Sequence, residues 1–369
     1  MNMDKHLLRE RFDSNMNAFI RLYELENGKS QYTVQYAGAR PEKIVNLEKP
    51  MYAHICITNR CNLACPYCYA NDGGTNEDMS TDDILQVINL CDKNGVFAIT
   101  WTGGEPFCRD DLMLFLEKAY ERKIKQTVLT NGTCIPDGFL EACPRHNVLF
   151  QFSLNEAWND EAENKRNHEK VFRNIQKCNS LGIENILTIM LELETAKNIE
   201  KLIVKLIDNN VLMARFGYLM PVGKVDHGYY EKYMTAIRKN IHIYNELREK
   251  YKDKITILYQ FDKRQFNYTG IPRRFSMCEA GTTLLYIDNN GDAYPCPLFK
   301  SDREFLCGNV QRDDWREIWD AEPMKKLRAI PECRDCDYLC NVWCRAIKYF
   351  YNRKLTGRGL YCLKNDDET

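Results

Sequence analysis

The stretch "ITNRCNLACPYCYAND", residues 57–72, follows an apolar run that is rich in β-branched residues. It contains Cys61, Cys65 and Cys68 in the spacing Cys-x3-Cys-x2-Cys. A structural zinc site is closed by four ligands, and this stretch lacks a fourth cysteine. A cubane [4Fe–4S] cluster can be held by three thiolates, which leaves one iron open to a further ligand. The stretch therefore predicts a reactive metal cluster at the end of a strand.

The composition is that of an ordinary globular protein. The chain has 369 residues, of which 44% are apolar, and 51 Lys and Arg against 52 Asp and Glu leave a formal charge of −1. No global field recruits nucleic acid. The charged N-terminus lacks the apolar segment of a secretory signal, and no run approaches the roughly 18 apolar residues of a membrane span. We expect a cytoplasmic protein that binds neither nucleic acid nor membrane, with reduced cysteines.

Short apolar runs alternate with amphipathic stretches from residue 51 to about 262, a pattern typical of βα units around a parallel sheet. Residues 80–95 illustrate a helix, with Ser80 or Thr81 as N-cap and Gly95 as the stop. In barrels of such units, chemistry gathers at the carboxyl ends of the strands. The sequence predicts an α/β fold with a partial (β/α)6 TIM-like barrel. Its candidate strands are residues 53–58, 96–102, 125–130, 148–154, 185–193 and 213–220, and a long helix pattern at about 227–251 with the following strand "ITILYQF" completes the domain.

The rest of the chain flanks this barrel, which we assign to residues 51–262. Residues 1–50 form an N-terminal extension with a polar helix candidate and a probable strand, "QYTVQYAG". Residues 263–369 comprise a bridging segment and a cysteine-rich domain. Six scattered cysteines lie in apolar segments and are expected to be small buried hydrophobes. They are Cys56, Cys91, Cys108, Cys134, Cys143 and Cys178.

The three-cysteine spacing after a first strand, with the aromatic Tyr67 before the last cysteine, resembles the signature of the radical S-adenosylmethionine (radical SAM) enzymes. After the second candidate strand, Gly103, Gly104 and Glu105 resemble the family motif that meets the methionyl amino group of the cofactor. Glycines permit close backbone approach, and an acid accepts hydrogen bonds from an ammonium. Taken alone, the same motif is compatible with a tight turn and an exposed acid.

The later strand ends add to this resemblance. Thr130 and Asn131 resemble the polar lip below the cofactor. Ser153 and Arg166 match a family pattern that holds the carboxylate of the cofactor, although the two residues after the strand depart from its Asp-Gly. Met220 lies in "LMPVGK", which resembles the region that stacks near adenine. The alternative for Arg166 is a solvated cation at a helix start.

The C-terminal cysteines resemble the SPASM extension, which carries auxiliary iron–sulfur clusters in many radical SAM peptide maturases. By this resemblance one auxiliary cluster is held by Cys278, Cys296 and Cys344, with Cys307 or an open position as the fourth ligand. The other is assigned to Cys333, Cys336, Cys340 and Cys362. The spacing between Cys336 and Cys340 is shorter than relatives commonly have. The alternative is a zinc module, because Cys-x2-Cys pairs also build zinc ribbons.

The resemblance implies an enzyme that cleaves S-adenosylmethionine reductively to a 5′-deoxyadenosyl radical, which abstracts hydrogen from a substrate. It implies a peptide or protein substrate, most often a ribosomally made peptide that is cross-linked, epimerised or similarly modified. Pro297 stands where sulfatase-maturing relatives have Asp, which argues against formylglycine formation.

The implied partners are an electron donor such as flavodoxin or ferredoxin and, because residues 1–50 are short for a fused recognition domain, a separate leader-recognition protein. Two alternatives to this function stay open. One is a small-molecule substrate, such as a tetrapyrrole or a sugar, and the other is a zinc-stabilised binding protein without catalysis.

Overall fold

The computed structural model describes most of the chain. The described residues are 5–25, 30–39, 46–65, 68, 77–143, 148–154, 162–191, 198–220, 227–239, 241–259, 278–330 and 344–355. Within these ranges no helix combines the length and the apolar character that crossing a membrane requires.

Strands and helices alternate through the middle of the chain. The strands are β1 Lys5–Asp13, β2 Ala18–Leu25, β3 Ser30–Tyr36, β4 Tyr52–Thr58, β5 Ala98–Gly103, β6 Lys125–Thr130, β7 Val148–Leu154, β8 Asn185–Leu191, β9 Met213–Tyr218, β10 Thr256–Tyr259, β11 Leu284–Ile287, β12 Asp292–Tyr294 and β13 Gly308–Asn309. The helices are α1 Thr81–Lys93, α2 Leu112–Glu121, α3 Phe139–Ala142, α4 Ala162–Leu181, α5 Ile199–Asp208, α6 His227–Lys239, α7 Ile241–Lys250, α8 Trp315–Trp319, α9 Glu322–Ala329 and α10 Arg345–Asn352.

Strands β4 to β10 lie side by side in chain order, and each pairs in parallel with the next. Alternate residues of β7, from Val148 to Leu154, are buried, which gives this strand one fully apolar face. The predicted α/β barrel-type fold is confirmed. The six candidate strands correspond to β4–β9, and β10 adds a seventh parallel strand.

Helix α1 begins and ends where the sequence signals predicted. The Asp83 backbone N–H donates to the Ser80 hydroxyl at 3.2 Å, and the Ser80 N–H donates to the Asp83 carboxylate at 2.9 Å. These two bonds form a capping box. Beyond the helix, Gly95 has a φ of +65°, a conformation that glycine adopts at low cost. Local signals therefore determine where the chain turns from α1 into β5.

The N-terminal extension differs from the expectation. Its described part is a three-stranded antiparallel sheet in the order β1-β2-β3, and the predicted polar helix is wrong. Alternate residues of β2, Ala18, Ile20 and Leu22, are buried against the start of the barrel, where Phe97 lies. The sequence of β1 does not show the apolar–polar alternation typical of a strand, because β1 is polar over most of its length and largely exposed. This sheet covers the amino ends of β4 and β5.

The C-terminal region continues the barrel sheet. Strand β11 pairs in parallel with β4, with Leu284 opposite Tyr52. Strand β12 folds back on β11, and β13 pairs with β12, both antiparallel. The result is one ten-stranded sheet in which β4 is an interior strand. A separate apolar cluster around Phe299 and Phe305 packs on this extension.

Candidate active site

The candidate site lies at the carboxyl ends of four parallel strands. The cysteine loop follows β4, Gly103 ends β5, Thr130 ends β6, and Ser153 is next to the last residue of β7. Because parallel strands end at the same edge of a sheet, these residues are brought to one edge although they are far apart in sequence. Tyr67 is outside the described residues.

The cysteine loop presents its thiols at the surface of this edge. Cys61 is exposed, and Cys65 and Cys68 are half-buried. The Cys68 backbone N–H donates to the Cys65 carbonyl at 3.2 Å, and the Leu63 N–H donates to the Cys61 sulfur at 3.4 Å. The Asn131 Nδ2 lies 4.0 Å from the Cys61 sulfur, which joins the loop to the end of β6.

The two glycines of the "TGGEP" motif contact the base of the cysteine loop. The Gly104 N–H donates to the Thr58 carbonyl at 2.7 Å, and the Glu105 N–H donates to the Arg60 carbonyl at 2.9 Å. A Cβ on Gly103 would lie 2.2 Å from the Thr58 oxygen, and one on Gly104 would lie 2.3 Å from the Arg60 oxygen. The glycines were expected to permit close backbone approach. In the structure, the two segments that approach each other are the turn after β5 and the cysteine loop after β4.

Glu105 is fully buried, and its carboxylate joins the ends of β5 and β6. It accepts hydrogen bonds from the Thr130 hydroxyl at 2.7 Å, the Asn131 N–H at 2.7 Å and the Phe107 N–H at 3.2 Å. Burial raises the pKa of Glu105 to about 7, and the three donors oppose that rise. The side chain is buried, so the exposed acid of the alternative interpretation is absent.

A small cavity that opens to solvent lies beside the cysteine loop. Its lining comes from the loop, the ends of β6 and β7, and helix α4. The lining residues include Cys65, Asn131, Thr133, Ser153, Asn167 and Val171. Two polar residues of this lining, Thr133 and Asn167, were not predicted as site residues. The sequence signal for both residues is proximity, because each lies within two residues of a predicted site residue.

Six of the described residues predicted to contact the cofactor do not line this cavity: Gly103, Gly104, Glu105, Thr130, Arg166 and Met220. Arg166 is exposed, and its neighbour Asn167 faces the cavity instead. Met220 is half-buried and packs against the barrel core. Their proposed cofactor contacts stay predictions.

Two cysteines expected to be buried hydrophobes lie near the site. The expectation is confirmed for Cys56, Cys91, Cys143 and Cys178, which are buried. It is wrong for Cys108 and Cys134, which are half-buried.

Burial raises the pKa of Cys134 to about 12, with Glu105, Cys108 and Cys61 contributing. The Cys134 sulfur also lies 3.6 Å from the Asn62 side-chain oxygen. The sequence did contain a signal, because Cys108 and Cys134 each come three residues after a predicted site residue.

In the C-terminal region, Cys278, Cys296 and Cys344 pack against the same apolar cluster. Burial, and then the neighbouring Cys344 and Cys278 thiols, raise the pKa of Cys296 well above its usual range. These three predicted ligands are therefore close together. The predicted ligands of the second auxiliary cluster lie outside the described residues: Cys333, Cys336, Cys340 and Cys362.

Cys307 has different contacts. Its thiol donates to the Phe305 carbonyl at 3.5 Å, and burial raises its pKa to about 12 while the nearby Arg328 opposes that rise. Its role as a fourth ligand stays a prediction.

The donor set at the cysteine loop fits an iron–sulfur cluster. Soft thiolates are the ligands that such clusters prefer. In the described part of the chain, no group of three or more His, Cys, Asp or Glu side chains surrounds a single metal-ion position. A zinc ion needs its ligands about 2.3 Å from one point, whereas a cubane is held at separate corners. Cys61, Cys65 and Cys68 are the described thiols of this loop that would hold such a cluster.

Comparison with protein families agrees with this geometry. The family model described as "Radical SAM superfamily" matches residues 55–206, from β4 into α5. The model SPASM, described as "Iron-sulfur cluster-binding domain", matches residues 278–337.

Individual relatives match over most of the chain. It is 25% identical over 347 residues to the mycofactocin maturase MftC of Mycobacterium tuberculosis, covering 89% of this chain and 88% of MftC. It is 25% identical over 325 residues to the antilisterial bacteriocin subtilosin biosynthesis protein AlbA of Bacillus subtilis, covering 85% of this chain and 68% of AlbA. Streptococcus suis SuiB bound to its precursor peptide SuiA shares the fold, with a TM-score of 0.64 at 18% identity over 79% of this chain and 69% of SuiB. The chain is a radical SAM enzyme with a C-terminal SPASM domain, and its cofactors are S-adenosylmethionine and iron–sulfur clusters.

Proposed function

We propose that this enzyme matures a ribosomally made peptide by abstracting a hydrogen atom from one of its residues. The names of MftC, a maturase, and of AlbA, a bacteriocin biosynthesis protein, support this substrate class. The final modification, whether a cross-link or an inverted stereocentre, depends on the peptide.

The observation that carries the proposal is the cavity beside the cysteine loop. It places Cys65 and the polar side chains of Asn131, Ser153 and Asn167 around one solvent-open cavity. Clefts with a few convergent polar groups are typical of small-molecule and cofactor sites. We assign this cavity to S-adenosylmethionine.

The roles of the residues follow from their positions. Cys61, Cys65 and Cys68 hold the cluster, and Asn131 and Ser153 orient the bound cofactor. When bound, the reduced cluster and S-adenosylmethionine supply the 5′-deoxyadenosyl radical. The protein positions the reacting groups and excludes competing reactions. Cys278, Cys296 and Cys344 hold an auxiliary cluster that accepts an electron or binds the substrate.

Two partners complete the proposal. An external donor such as flavodoxin or ferredoxin supplies the electron. A separate protein recognises the leader of the peptide. The N-terminal sheet packs at the amino ends of β4 and β5, whereas the cavity lies at their carboxyl ends, so this sheet is remote from the chemistry.

The first test measures cofactor cleavage. Anaerobically reconstituted protein with a chemical reductant should convert S-adenosylmethionine into 5′-deoxyadenosine, detected by chromatography. The triple variant Cys61→Ala, Cys65→Ala, Cys68→Ala should form none, because no thiolates remain to hold the cluster. Cys91→Ala is the matched control, since Cys91 is buried in α1 away from the loop, and it should retain activity. Equal amounts of 5′-deoxyadenosine from wild type and the triple variant would contradict the assignment of the cluster to these three cysteines.

The second test concerns the substrate. A precursor peptide encoded beside the gene, deuterated at its side chains, should transfer deuterium to 5′-deoxyadenosine and change mass. Deuterium transfer from a small molecule but from no peptide would instead support the small-molecule alternative. Colourless protein that binds zinc tightly after anaerobic preparation would support the non-catalytic one.

A further inference from the structure

The turn of the C-terminal hairpin touches the base of the cysteine loop. Asn289 lies between β11 and β12 and is fully buried. Its side-chain N–H donates to the Asp78 carboxylate at 2.9 Å, and its side-chain oxygen accepts from the Asn59 amide at 2.8 Å. Its backbone carbonyl accepts from the Met79 N–H at 2.7 Å. One residue of the C-terminal region therefore binds both the entry to α1 and the residue after β4.

Asp78 extends this contact to the other residues at the base of the loop. The Thr58 hydroxyl donates to its carboxylate at 2.6 Å, and the Asn59 backbone N–H donates to it at 3.1 Å. The Arg60 N–H in turn donates to the Thr58 hydroxyl at 3.0 Å. The three residues before Cys61 are thus held by one carboxylate, which is itself oriented by Asn289.

We infer that Asn289 and Asp78 are positioning residues for the cluster on the cysteine loop. Neither residue lines the described cavity, and they act by fixing the backbone from which Cys61 projects. The inference rests on the proposed role of this loop as a cluster holder. It assigns the C-terminal domain a second task, since its hairpin sets the geometry of the first cluster besides carrying cysteines of its own.

The physical basis is the sensitivity of a metal centre to the groups behind its ligands. Partners that orient ligands typically change metal affinity or activity about 10- to 100-fold when they are removed. Hydrogen bonding and solvent exposure also set the potential of an iron–sulfur cluster. Removing the Asn289 amide leaves the half-buried Asn59 amide without this acceptor and Asp78 without one donor. The base of the loop then loses its fixed position.

The test compares Asn289→Ala with Asn290→Ala in the full-length reconstituted protein. Asn290 is the next residue of the same turn, and its side chain bonds to Asp292 within the hairpin. It therefore controls for weakening of the hairpin itself. Asn289→Ala should bind S-adenosylmethionine about 10- to 100-fold more weakly and shift the midpoint potential of the cluster, while Asn290→Ala matches wild type. The readouts are the cofactor-induced change in the electron paramagnetic resonance spectrum and a redox titration.

Asn289→Asp keeps the side-chain volume and the acceptor for Asn59. It replaces the amide that donates to Asp78 with a second carboxylate, which repels the Asp78 carboxylate. It should bring the same shifts even if Asn289→Ala folds poorly. Wild-type affinity and potential in both Asn289 variants would overturn the inference, as would equal effects of Asn290→Ala. These results differ from failure of the proposed function, in which wild type itself neither binds nor cleaves S-adenosylmethionine.

Discussion

At the residue scale, Glu105 shows how burial alters an ordinary acid. Burial raises its pKa from 4.5 to about 7, so the folded protein binds a proton more tightly than the unfolded chain does. Its contribution to stability is therefore fully present below pH 4.5 and is lost as the pH rises through about 7.

A Glu105→Gln variant tests this pH dependence. In wild type, Glu105 should lower the free energy of unfolding by about 2 to 3 kcal/mol between pH 5 and pH 8. Glutamine does not titrate. The free energy of unfolding of wild type minus that of the variant should therefore fall by that amount between pH 5 and pH 8. Anaerobic urea unfolding at both pH values measures it. Parallel pH profiles for wild type and variant would contradict the assigned shift.

A second residue-scale prediction concerns the contact between the "TGGEP" motif and the loop. Gly104→Ala places a methyl group 2.3 Å from the Arg60 carbonyl oxygen, so the residue before Cys61 has to move. We expect loss of iron from the loop and at least about tenfold slower cofactor cleavage.

Gly138→Ala is the matched control for this change. Gly138 has a φ of +79° but no atom within 4 Å of an added Cβ. It should therefore cost only about 1 to 2 kcal/mol of stability and leave iron binding intact. Iron content and turnover would separate steric displacement of the loop from general destabilisation, and an iron-replete Gly104→Ala enzyme would contradict the contact.

Sequence reasoning located the strand ends but not the direction of each side chain there. It selected Arg166, whereas the rotation of α4 presents Asn167 to the cavity. Cys108 and Cys134 were expected to be small buried hydrophobes, because their proximity to Cys61 arises only when β4, β5 and β6 align. Such contacts depend on packing between distant segments, and the sequence signals them only through proximity to a predicted site residue.

At the element scale, a buried arginine helps to tie the N-terminal sheet to the barrel. Arg11 in β1 donates to the carbonyls of Pro50 and Lys49 at 2.8 and 3.0 Å and pairs with the buried Asp13 at 3.6 Å. Its guanidinium also lies 5.4 Å from the centre of the Phe97 ring. These bonds tie an exposed strand to the barrel, which explains why a polar segment forms a strand here and not the predicted helix.

Arg11→Ala should therefore destabilise the protein by about 3 kcal/mol, since it leaves Asp13 buried without its partner. Arg21→Ala is the control, because Arg21 pairs with Glu10 on the outer face of the same sheet, where ion pairs contribute about 1 kcal/mol or less. Urea unfolding of both variants measures the difference. Equal losses would show that Arg11 is not the anchor.

At the scale of the whole molecule, the alternating pattern of the sequence was enough to predict the parallel barrel, because each βα unit is encoded by local hydrophobic periodicity. The continuation of its sheet into the C-terminal region was not predictable in the same way. The pairing of β11 with β4 joins the C-terminal region to the first strand of the barrel domain, and its register is visible only in the folded protein.

That pairing has a consequence for biosynthesis. On the ribosome, β4 emerges long before β11, so one edge of the first barrel strand waits, with its backbone groups unpaired, until the last quarter of the chain is translated. Free strand edges recruit other chains. Nascent or prematurely terminated polypeptides that stop short of Leu284 should therefore depend on chaperones and aggregate in cells.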